Sequence, residues 1–124
     1  MSSFVVEYKT INKILMYYAK KTGAEFKSIE ELTGFGKELL KLNIDAVNQR
    51  YNEKTNYDFA EKFEFKEIQC NEFEILKALH CFTYQCSEGN IPNKKLYKQM
   101  VELENGIAFE IIDKMPEYQK AEWG

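Results

Sequence analysis

Between Leu32 and Tyr51 the chain places apolar residues on two helical stripes at once, and this double pattern narrows the folds open to it more than any other feature. Leu32, Phe35, Leu39, Leu42 and Ala46 recur at spacings of three and four, and Leu40, Ile44, Val47 and Tyr51 form a second row. One stripe suffices for a helix lying on the surface of a core. Two require cover on more than one side, so this helix is expected at the centre. Ser28 with Glu31 three residues on is a capping box that would start it. Gly34 and Gly36 interrupt its first part and are expected either to kink it or to delay its start to about Gly36.

The remaining pattern is also mostly helical. Thr10 stands where a cap would, with Ile11, Ile14, Leu15 and Tyr18 behind it and Gly23 as a stop. Asn52 to Asp58 is a polar loop. Asn71-Glu72-Phe73-Glu74 is another capped start, with Ile75, Leu76, Leu79 and Phe82 facing inward. Ser87 to Asn93 is turn-rich. A last long helix is expected from about Lys94 to Met115, with one stripe of Leu96, Met100, Leu103, Ile107 and Ile111 and another of Tyr97, Val101, Ala108 and Ile112, stopped by Pro116. Trp123 is expected to dock on its own domain or a neighbour. Phe4 to Tyr8 and Lys62 to Gln69 begin with strand-like features, the second alternating at period two. The fold class is therefore mainly α, four to five helices with two of them long, and a minor antiparallel β ribbon as the one candidate exception. Two doubly striped helices expose more apolar face than a small monomer covers, so a homo-oligomer is expected.

A length of 124 residues accommodates a single domain over 1–124. The net charge is −3, with acidic and basic residues interspersed. No basic stripe is available to neutralise phosphates along a nucleic acid, and no acidic block resembles a DNA mimic. The N-terminal residues lack the pattern of a signal peptide, and no apolar run is long enough for a membrane span. Cys70, Cys81 and Cys86 are an odd number without framework spacing, and read as reduced thiols of a cytoplasmic protein. Eight Tyr and nine Phe are many for this length, which fits a stacking surface, a subunit interface or a richly aromatic core.

Catalytic chemistry is hard to assemble from these residues. Cys81 and Cys86 would lie roughly 140° apart on a helix, and His80 and Cys81 about 100° apart, so neither a metal site nor a Cys–His nucleophile pair follows. The many carboxylates single out no acid–base pair. Gly34-Phe35-Gly36 lacks the third glycine and the preceding strand of a phosphate loop. No catalytic residue, metal or cofactor is expected.

Two stretches suit binding better. In Asn48-Gln49-Arg50-Tyr51-Asn52 the only arginine of the chain offers a planar fork for phosphate or carboxylate, or else simply completes a polar helix end. Phe82-Thr83-Tyr84-Gln85-Cys86-Ser87-Glu88-Gly89-Asn90 leads to a helix start with Lys94 and Lys95. This places rings, ammonium groups and free N–H groups where an anion with a stackable base could sit; a capped turn between packed helices explains the same residues.

Asn48-Gln49-Arg50-Tyr51, Tyr84-Gln85-Cys86-Ser87-Glu88-Gly89 and the terminal Pro116-Glu117-Tyr118-Gln119-Lys120-Ala121-Glu122-Trp123-Gly124 together resemble small proteins of phages and prophages, over most of the chain from about Leu39 onward. Within that group the chain is similar to the Thoeris anti-defence sponges, which sequester cyclic ADP-ribose-type signals without cleaving them. The resemblance implies an oligomer with ligand pockets between protomers, aromatic stacking on adenine and arginine contacts to phosphate. It would put Arg50, Phe82, Tyr84 and Asn90 at the ligand. With a single arginine in the chain, further phosphate contacts would fall to Lys94 and Lys95. The expected function is sequestration of a cyclic nucleotide immune signal in the host cytoplasm. The alternatives are an inhibitor that docks directly on a host defence protein and, more remotely, a small hydrolase built on a carboxylate pair.

Overall fold

A computed structural model of the chain describes residues 4–22, 28–86 and 91–114, and helices account for most of them. Helix α1 spans Tyr8–Thr22, α2 Ile29–Tyr51, α3 Asp58–Glu61, α4 Glu72–Cys86 and α5 Lys94–Glu110, with a 3-10 turn at Ile112–Lys114. Asn90, Pro116 and Trp123 lie outside the described residues, as does the expected stop at Gly23; α5 ends at Glu110, short of the expected Met115.

The start signals act as their chemistry requires. Ser28 Oγ accepts the Glu31 N–H at 3.3 Å and caps α2. At α4 the box is reciprocal: Asn71 Oδ1 accepts from Glu74 N at 2.8 Å, and Glu74 Oε1 accepts from Asn71 N at 3.3 Å. Asn93 caps α5 by accepting from Leu96 N at 3.1 Å. Helix α1 begins at Tyr8, two residues before the Thr10 that sequence spacing favours.

Helix α2 is continuous through both glycines. Gly34 faces open space, whereas Gly36 is buried because a Cβ there would overlap the Phe63 ring. The second glycine thus lets another segment approach α2 closely, and neither breaks the helix or delays its start. As the two stripes require, α2 packs against α1, α3 and α4. Helix α4 is equally central, packing on α1, α2 and α5, and Phe73, Ile75, Leu76, Ala78, Leu79, Phe82, Thr83 and Cys86 bury much of its circumference. Helix α5 lies outside α4. Its first stripe is covered at Leu96, Met100, Ile107 and Ile111, but Tyr97, Val101 and Ala108 are only half-buried and Ile112 is exposed.

The β ribbon does not form: among the described residues there is no strand. The alternation along 62–69 is real, since Phe63 and Phe65 are buried while Glu64 and Lys66 face solvent. Its backbone, however, is satisfied by side chains. Phe65 N donates to Thr33 Oγ1 at 3.0 Å and Lys66 N to Asn12 Oδ1 at 3.1 Å. Val6 N donates likewise to the fully buried Asn43 Oδ1 at 3.0 Å. Side chains on the helices thus take the place of a partner strand, meeting the demand that buried N–H groups be paired.

Candidate functional site

The last turns of α2 and α4 come together at the surface. Asn52 ends α2 in the left-handed region at φ 53°, ψ 43°, with its N–H on the Asn48 carbonyl. The Asn48 side chain then clamps the following loop, donating to Thr55 O at 2.8 Å and accepting from Thr55 N at 3.0 Å. Asn48 is thereby a structural residue, while Arg50 reaches across to α4. Arg50 Nη1 donates to the Tyr84 carbonyl at 3.4 Å. That carbonyl is among the last four of α4, which have no partner within the helix and carry its negative pole.

The same guanidinium lies over two rings, its Cζ 5.0 Å from the Tyr84 centroid and 5.4 Å from the Tyr51 centroid. Such contacts contribute about 0.5–1 kcal/mol at exposed sites. Tyr51 is in turn stacked on Phe4, with centroids 3.9 Å apart and planes at 13°. Tyr84 is 55% exposed and Phe4 41% exposed. One turn back along α4, the His80 ring stands 6.4 Å from that of Tyr84. His80 Nδ1 is 3.1 Å from Glu104 Oε2 of α5, and Glu104 Oε1 accepts from Thr83 Oγ1 at 2.6 Å. Phe4, Tyr51, Arg50, Tyr84, His80 and Glu104 therefore form one connected surface chain of rings and charges.

Of the residues singled out from sequence, Arg50 and Tyr84 are brought together and Phe82 is not. Phe82 has 0% exposure and belongs to the core with Leu79 and Ile44, so it has no surface to offer a ligand. Its place on the inward stripe of α4 outweighs its nearness in sequence to Tyr84. Lys94 and Lys95 are exposed in the first turn of α5. Ten residues, about 15 Å of helix axis, separate Lys94 from Glu104, the point where α5 meets Thr83 and His80. Asn90 lies outside the described residues. Phe4, His80 and Glu104 were passed over in the sequence, where only the four-residue spacing of His80 and Tyr84 hinted at a shared face.

Other parts of the surface hold clefts with different linings. One of about 520 Å³ is bordered by Ile29, Thr33, Lys37 and Phe65, and one of about 420 Å³ by Tyr17, Lys20, Cys70, Glu72 and Lys114. The second sits at the N-terminal end of α4, away from Tyr84. Among the described residues no three His, Cys, Asp or Glu side chains group closely enough to hold a metal ion, and no helix is long and apolar enough to cross a membrane.

The surroundings of all three thiols raise their pKa. Burial pushes the Cys86 thiol up to about 12, only partly opposed by the Asn43 amide beside it. Burial, then the Glu7 charge, raises Cys81; burial, then Glu74, raises Cys70. This is the reverse of the environment that activates a nucleophilic cysteine. Comparison with protein-family models, curated proteins and solved structures finds no match to this chain.

Proposed function

We propose that the chain is a binding protein that takes up a cyclic ADP-ribose-type nucleotide on the Arg50–Tyr84 surface and holds it unchanged. The observation that carries this reading is the guanidinium of Arg50 lying over the Tyr84 and Tyr51 rings, with Tyr84 55% exposed. A nucleotide needs a cation for its phosphates and a flat face for its base. Arginine provides a planar fork for the first, and stacking on an aromatic ring contributes about 1–3 kcal/mol per base. The resemblance to phage anti-defence sponges supplies the ligand class and the setting, a bacterial host cytoplasm. Raised thiol pKa values support retention over turnover by cysteine chemistry.

A sponge acts by mass action, and works when its sites outnumber the signal and its Kd lies well below the signal's working concentration. Homo-oligomerisation belongs to the same reading. The half-covered second stripe of α5, together with Phe109 at 78% and Ile112 at 58% exposure, offers apolar area for a second copy.

The test is calorimetric titration with cyclic ADP-ribose isomers, followed by heat denaturation and analysis of the released ligand. Stoichiometric uptake with unaltered nucleotide recovered is expected. Arg50→Lys and Tyr84→Ala should each weaken binding by about tenfold, the loss of one good contact. Altered nucleotide would make the protein an enzyme, and no uptake of any isomer would end the proposal. One observation favours a second reading, direct docking on a host defence protein: arginine and tyrosine gathered at a surface are the residue types that dominate protein interfaces. An affinity pull-down from host lysate, with Tyr84→Ala as control, would then yield a stoichiometric partner.

A further inference from the structure

We infer that His80 is a specificity-determining residue of this surface, reading the amino edge of a base stacked on Tyr84; the inference rests on the nucleotide reading proposed above. His80 and Tyr84 are successive residues on one face of α4, their rings 6.4 Å apart and inclined at 35°. What sets His80 apart from an ordinary surface histidine is how it is held. Glu104 has both oxygens engaged, Oε2 with His80 Nδ1 at 3.1 Å and Oε1 with the Thr83 hydroxyl at 2.6 Å. Thr83 is 6% exposed and the Glu104 side chain 19%, whereas the His80 side chain is 64% exposed. A half-buried, doubly anchored carboxylate therefore orients a ring that is mostly in solvent.

That anchoring fixes the ring's chemistry. A carboxylate only accepts hydrogen bonds, so the proton of this contact sits on Nδ1, and the neutral imidazole then carries its lone pair on Nε2. Nε2 is the nitrogen left for solvent or a ligand, and in the neutral ring it is an acceptor. A base stacked at Tyr84, which is partly exposed, would turn an edge towards His80, whose ring lies one turn back at 6.4 Å. The amino or imino group at C6 of adenine donates to Nε2, whereas the C6 oxygen of hypoxanthine meets a second lone pair. A site built to accept from a donor rejects the analogue that lacks it more strongly than an apolar pocket could. An inter-helix ion pair alone would be served equally by lysine at position 80, which has no acceptor to offer.

The test is to titrate cyclic ADP-ribose and its 6-oxo analogue, cyclic inosine diphosphate-ribose, into the wild-type protein and His80→Asn. The two probes share the ribose–pyrophosphate part, so Arg50 treats them alike. Wild type is expected to prefer cyclic ADP-ribose by roughly tenfold, the worth of one hydrogen bond against one repulsion. His80→Asn keeps a donor facing Glu104 but lacks the outer nitrogen, and its exposed position leaves folding intact. In that variant the preference is expected to fall to within about twofold, with thermal stability unchanged. Equal affinities in wild type, or an undiminished preference in His80→Asn, would overturn the inference while leaving the Arg50–Tyr84 binding surface standing. Failure of both probes to bind would overturn the two together.

Discussion

At position 43 an amide stands among the buried aliphatic side chains of α2, and the reason is a backbone N–H 37 residues away. Asn43 is fully buried and accepts from Val6 N. Asn43→Ala strands that donor, and is expected to cost about 1–3 kcal/mol in urea unfolding. Phe82 and Tyr84, two residues apart, should separate cleanly. Phe82→Ala opens a core cavity and is expected to cost about 3–5 kcal/mol, whereas Tyr84→Ala should lower stability by no more than about 0.5 kcal/mol while weakening nucleotide uptake. Cys86 gives a pH dependence of definite sign. Its thiol titrates near 9 when unfolded and is pushed up to about 12 in the fold. The folded state therefore favours the neutral thiol, a contribution fully present below about pH 9 and lost as pH rises towards 12. Urea unfolding from about pH 8 to 11 should fall more steeply for wild type than for Cys86→Ala.

At the scale of elements, the two glycines of α2 make opposite predictions from one geometry. Gly34 meets open space, so Gly34→Ala should stabilise the protein by up to about 1 kcal/mol through helix propensity. Gly36 lies under the Phe63 ring, so Gly36→Ala should cost about 1–3 kcal/mol through overpacking; thermal or urea unfolding reads both. Neither fate is visible locally, because it depends on a segment some 27 residues further on. The caps and stripes were legible, since each relies on residues three or four apart. Ser28 and Asn71 act as their neighbours suggest, Thr10 does not, and the double stripe of α2 meets cover on several sides. The alternation at 62–69 was also legible as one buried and one exposed face, but not as a strand or a coil. That distinction rests on Thr33 and Asn12, which supply the hydrogen bonds a partner strand would have made.

For the whole molecule, the candidate site is a meeting of helix ends, and such meetings depend on crossings that no short window of sequence contains. Arg50 could be marked as the lone guanidinium and Tyr84 as an aromatic near a helix end, but not their stacking. Phe82 is an aromatic near the same helix end as Tyr84, and the inward stripe of α4 on which it falls is what removes it from the surface. His80 and Glu104 are joined only because α5 folds back across α4. The central claim is that this junction is where the nucleotide binds. Its most direct test is an NMR titration of the labelled protein with cyclic ADP-ribose, following backbone amides and aromatic ring signals. Shifts centred on Arg50, Tyr51, His80 and Tyr84, with the Phe82 ring signals following only weakly, are the predicted result. Saturable shifts centred instead on the cleft around Tyr17, Cys70 and Lys114, or none at all, would contradict it.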